Sequence, residues 1–170
     1  CTHNAENLLI TQNHDHEWLA AKMSALRTTS NPKTTELSII ASAFREKGYQ
    51  ILHLKNKIID YDSLRKHAEQ LCLPMLFCGP VQGTEFLHIV GICPKKVPLS
   101  GIQLWLIDGG QADQRPLMFC RETIDSCFGG PGSFTSVTDA FACFPGRKLS
   151  TELLSNVNVN CSSFDQSVCF

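Results

Sequence analysis

The apolar residues of this chain change their spacing once, near residue 48. Before that point they recur at helical intervals: Ala5, Leu8 and Leu9, then Trp18, Leu19, Met23 and Leu26, then Leu37, Ile40, Ala41 and Phe44. After it come short apolar blocks, alternating or continuous, punctuated by Gly and Pro. Helices first and strands afterwards predict an α+β fold, with N-terminal helices packed on a mostly antiparallel sheet. A chain of 170 residues fits one domain with a sizeable core.

The boundaries follow from local chemistry. Residues 1–10 and 16–27 read as helices, separated by the polar turn Gln12-Asn13-His14-Asp15-His16. Asn31 reads as an N-cap with Pro32 at the first helical position, opening a third helix that ends at Lys47 before Gly48. Residues 49–54 alternate as a strand, and Asp62 reads as the cap of a short helix over 63–71 that Pro74 closes. Residues 75–78 form a buried strand, followed by a turn at Gly79, Pro80 and Gly83. Residues 86–92 and 102–107 make an antiparallel hairpin around a loop at 94–101. Beyond Gly110 the signals thin. Leu117–Cys120 reads as a strand, 129–132 as a loop, 137–144 as strand or helix, and 111–170 as an extension of the same domain.

Charge is balanced, with a net of -1 and no Lys/Arg cluster, which argues against a nucleic-acid partner. No apolar run is long enough to cross a bilayer as a helix. Several of the nine cysteines sit inside apolar runs, as in Leu76-Phe77-Cys78 and Gly91-Ile92-Cys93. This favours small buried hydrophobes in a reducing compartment such as the cytoplasm over a disulfide framework. Cys161 and Cys169 are the pair most suited to a bridge.

Cys1 stands where an initiator Met is expected, as in a processed or trimmed chain. A thiol at the first turn of a helix is placed to be a thiolate, because free N–H groups and the helix dipole favour the anion. A thiol nucleophile also needs a histidine and a group to orient it. His88 lies within the strand Phe86–Ile92 and Asp108 ends the next strand, so a hairpin brings the two close.

Other groups fit chemistry less well. His14 and His16 are two residues apart and share no helix face. The cysteine spacings contain no Cys-x-x-Cys, so neither a metal nor another cofactor is expected. Gly129-Gly130-Pro131-Gly132 lacks the lysine of a phosphate loop. His53 and His67 read as surface residues.

Taken in order, Cys1…Asn7-Leu8-Leu9, Leu73-Pro74-Met75-Leu76, Phe86-Leu87-His88-Ile89-Val90 and Trp105-Leu106-Ile107-Asp108-Gly109 resemble the papain-like cysteine peptidases. The resemblance is to their compact branch, which includes the bacteriocin-processing peptidases and the Josephin deubiquitinases. It covers roughly residues 1–110. It implies Cys1 as nucleophile, His88 as base and acid, Asp108 as orienter, and a protein or peptide substrate. The family's oxyanion-binding Gln before the Cys has no counterpart here, which leaves Gln12 and Asn13 as stand-ins if the fold brings them back. Cys1-Thr2 also faintly resembles the opening of penicillin acyltransferase-like amidases, in which the N-terminal amine is the base. A third reading is a non-catalytic interaction module, or a lipoprotein acylated on Cys1.

Overall fold

A computed structural model describes residues 2–54, 60–109, 116–145 and 164–165. Three helices come first: α1 (Thr2–Thr11), α2 (Glu17–Thr29) and α3 (Glu36–Glu46). The start of α3 differs from the sequence expectation. Thr35 caps it by accepting the Ser38 N–H, whereas the Asn31 side chain takes the Lys33 N–H at 3.0 Å and turns the chain. An Asx turn thus wins at Asn31-Pro32 and delays the helix by one turn. Gly48, at φ 98°, supplies the left-handed residue that ends it.

Strand β1 (Tyr49–Leu54) follows, then α4 (Tyr61–Leu71). Asp60 rather than Asp62 caps α4, accepting the Ser63 N–H at 2.8 Å. That bond holds the Asp60 carboxyl below its ordinary range. Cys72, left-handed at φ 50°, closes the helix ahead of Pro74.

Strand β2 (Met75–Pro80) takes in Gly79 and Pro80, which the sequence suggests are turn residues. Strand β3 (Leu87–Val97) runs far past Ile92 and pairs with β4 (Gly101–Ile107) down to Val97↔Gly101. The expected loop at 94–101 is therefore strand up to Val97, with a tight turn at 98–100. Its Pro94 is tolerated because β2 stops pairing at Met75↔Ile92, so β3 then has a neighbour on one side only. A two-residue strand β5 (Leu117–Met118) and helix α5 (Arg121–Cys127), which has no clear signature in the sequence, lead to β6 (Asp139–Pro145). The ambiguous segment at 137–144 is thus a strand. Strand β7 is Phe164–Asp165; most of the last twenty residues, with the expected Cys161–Cys169 bridge, lie outside the described residues.

All pairings are antiparallel, in the order β5-β4-β3-β2-β6-β1-β7, giving the α+β class. The sheet is covered on both faces. Leu76, Ile89, Ile107 and Phe141 meet α1, α2 and α3 on one. Phe77, Val90, Leu106 and Ala140 meet α4, α5 and the Phe134 loop on the other. No helix among the described residues is long and apolar enough to cross a membrane.

Phe77 is fully buried between the rings of Phe128 and Phe134, at centroid distances of 5.9 and 6.3 Å. Phe77→Ala is expected to cost about 3–5 kcal/mol of unfolding free energy. Urea titration measures this, and a loss under about 1 kcal/mol contradicts the packing described.

Candidate active site

The register of one hairpin makes the site. Gly91 faces Ile107 across β3 and β4, so the next step of the ladder sets Val90 opposite Asp108. Residues two apart share a strand face, which makes His88 the diagonal neighbour of Asp108. The side chains meet: His88 Nε2 lies 3.1 Å from each carboxylate oxygen of Asp108. An ionised carboxylate only accepts, so Nε2–H donates and the neutral ring keeps its lone pair on Nδ1. The Phe128 ring stands edge-on to the imidazole at 5.8 Å. Asp108's side chain is 7% exposed and that of His88 28%, so the carboxylate is shielded while the ring reaches solvent.

Two further groups close around Asp108. Asn4 of α1 donates from Nδ2 to the Ile89 carbonyl at 2.6 Å and to Asp108 Oδ1 at 3.3 Å, and its Oδ1 accepts the Gly109 N–H. Cys127, at the end of α5, lies beside Asp108, and burial first, then the Asp108 carboxylate, push its thiol far above its usual range. Gly109 is required by close approach. A Cβ there would lie 2.7 Å from His3 Cδ2 and 2.8 Å from Asn4 Oδ1.

Helix α1 lies along β3. Asn4 meets Ile89, Leu8 packs near Gly91, and Gln12 donates to Cys93 Sγ at 2.7 Å. Eight helical residues rise about 12 Å and four strand residues about 13 Å, so helix and strand keep pace in the same direction. The start of α1 is therefore at the His88 end of β3. Arg27 ties it down, donating to Thr2 Oγ1 at 2.7 Å and pairing with Glu36 at the start of α3.

This geometry separates the sequence candidates. His88 and Asp108 come together. Cys1 lies outside the described residues. Gln12 and Asn13 sit at the opposite end of α1 from His88, so Gln12 is not brought back as an oxyanion donor; its amide is engaged by Cys93. His14 hydrogen-bonds the Tyr49 hydroxyl at 3.1 Å. Among the described residues no three His, Cys, Asp or Glu gather as metal ligands. The Gly129–Gly132 loop is bound by Asp125, which accepts the Gly132 and Phe134 N–H groups at 2.9 and 3.1 Å.

His53 overturns its reading as a surface residue. It is 7% exposed and its Nε2 lies 2.6 Å from Asp139. β6 inserts between β2 and β1 and sets Asp139 beside both Cys78 and His53. The signal was available in the alternation of Tyr49, Ile51 and His53, which share one strand face. Asn4 was missed because nothing local distinguishes it from a polar surface residue.

Comparison of the chain with models of protein families, with curated proteins and with solved structures finds no match.

Burial raises the thiols of Cys78, Cys93 and Cys127 above their ordinary values. In the unfolded chain they ionise near pH 8.5. The stability that their raised values contribute is full below that pH and is lost as pH climbs toward the folded values. The melting temperature is therefore expected to fall steadily above about pH 8.5. A profile flat to pH 10.5 contradicts protonated burial of these thiols.

Proposed function

We propose that the protein is a thiol hydrolase cleaving a peptide, isopeptide or glutamine amide through Cys1, His88 and Asp108. The observation that carries this reading is the His88–Asp108 pair, its Nε2 bonded to the carboxylate and its Nδ1 without a hydrogen-bond partner among the described residues, at the end of the sheet where α1 begins. Cys1 precedes Asn4 by three residues in the sequence. The proposal therefore takes the thiol from the end of the chain nearest the His88 end of β3, where α1 begins.

The reaction follows from these roles. The Cys1 proton passes to His88 Nδ1, and the thiolate attacks the amide carbonyl carbon to give a tetrahedral oxyanion. That intermediate collapses: the C–N bond breaks, the imidazolium returns its proton to the leaving nitrogen, and a thioester on Cys1 remains. Water then loses a proton to Nδ1 and attacks the thioester. The C–S bond breaks, releasing a carboxylic acid and restoring the thiol. Asp108 keeps Nε2 protonated throughout and stabilises the imidazolium. The first-turn N–H groups of α1, which lack helical acceptors, are the donors proposed for the oxyanion.

The helical start at Thr2 favours this reading over an N-terminal nucleophile amidase, in which a strand should follow the nucleophile. Among the described thiols, Cys78, Cys93 and Cys127 are held protonated by burial, which leaves them poor nucleophiles.

Iodoacetamide labelling at pH 7 followed by mass spectrometry tests the proposal. Cys1 is expected to react at least about tenfold faster than any other thiol, and His88→Ala to slow it by a factor on the order of 100. Alkylation of Cys1 that is unchanged in His88→Ala sinks the assignment.

A further inference from the structure

We propose that Asn4 is the positioning residue of the His88–Asp108 pair. Its carboxamide holds the Asp108 carboxylate against His88 Nε2 and locks the first turns of α1 to the same atoms. The inference rests on reading His88 as the base, and it adds a residue which that reading does not require.

Three contacts of one side chain carry it. Asn4 donates to the carbonyl of Ile89, the residue after His88; to Oδ1 of Asp108 itself; and it accepts the N–H of Gly109, the residue after Asp108. A single carboxamide therefore spans both strands that supply the pair and reaches them from the helix. It is 1% exposed on a helix whose other buried residues are Ala5, Leu8 and Leu9. Asparagine is a poor residue for such a place on propensity grounds, and a buried amide is unfavourable unless its bonds are made. Here both N–H contacts and the carbonyl contact are made, and each lies at the site rather than in the helix.

The contact has a chemical consequence. Without the Nδ2 donor, the carboxylate can turn about its side-chain bonds and share its oxygens unequally with water. The proton of His88 is then no longer confined to Nε2. Nδ1 would carry the proton for part of the time and could not accept one from a thiol. The close packing of Gly109 beneath Asn4 Oδ1 leaves no room for the turn to shift toward α1 and compensate.

Two variants and one native measurement test this. Asn4→Asp keeps size and the acceptor for Gly109 but replaces the donor; Asn4→Leu removes both. Imidazole 15N spectra at pH 8 report the His88 tautomer. The native ring is expected to be protonated at Nε2 alone. Both variants are expected to show mixed protonation and to slow Cys1 alkylation by roughly ten- to a hundredfold, the range for loss of a hydrogen bond to a charged group. Folded Asn4→Asp protein with a single Nε2–H tautomer and native alkylation overturns the proposal. Should the variants fail to fold, the Asn4 carboxamide proton signals are read in the Asp108→Asn protein. A marked shift supports the contact, and unchanged signals refute it. If native Cys1 proves unreactive, the nucleophile assignment falls while the tautomer spectra still judge Asn4.

Discussion

The register of β3 against β4 is the constraint on which the rest of the site depends. Gly91↔Ile107 fixes which residues face α1 and which face α5. A slip of one residue would exchange the faces, burying Asp108 among the apolar residues under α1 and parting it from His88. The register is itself held by packing. Ile89 and Ile107 belong to the core beneath α1, while Val90, Ile92, Leu104 and Leu106 belong to the core on the other face. Two faces filled from the same strands leave no alternative pairing that keeps both cores. Gly91 sharpens this further, because a Cβ there would press on Ile107 Cβ at 3.2 Å, with Leu8 Cδ1 of α1 in contact distance at 3.5 Å. The helix is thereby seated directly over the hairpin that carries the pair.

Two imidazole–carboxylate pairs lie near one end of this sheet. His88 on β3 meets Asp108 just past β4 on the α5 face, with Asn4 reaching Asp108 from α1, and His53 on β1 meets Asp139 on β6 on the α1–α3 face. Each charged member is partnered, since removing a partner would strand a buried charge at a cost of several kcal/mol. The two imidazole–carboxylate pairs nevertheless differ in exposure. His53 is almost wholly enclosed, and the nearby Cys78 thiol is buried and raised by that burial. His88 keeps an exposed ring edge. In the second pair it is the imidazole that reaches solvent; in the first it is the carboxylate.

Much of the architecture was legible in spacing. The change from helical to strand periodicity at Gly48 marks the division between helices and sheet, and the His88–Asp108 approach follows from hairpin geometry alone. What escaped was set by longer-range or competing local bonds. Asn31 lost the cap of α3 to Thr35 because its side chain closes its own turn. Strand β3 continues through Pro94 because its far neighbour has ended, which no local pattern reveals. The insertion of β6 between β2 and β1 is a topological fact, and with it came the burial of His53. Asn4 belongs in the same class, since its partners are 85 to 105 residues away.

These distances bear on how the proposed reaction would assemble. The residues proposed as nucleophile, base and orienter are spread over the first 108 residues, and Cys127 and Phe128 come from beyond them to pack beside Asp108 and His88. The hairpin alone can form from local contacts, yet its carboxylate would stand in water until α5 and α1 dock. Desolvation is what makes the Asp108–imidazole attraction strong, because the same charges interact far more weakly in high dielectric. Docking of α1 supplies the Asn4 carboxamide and the helix N-terminus together. The imidazole of His88 is thus oriented by contacts that exist only when all three layers are packed.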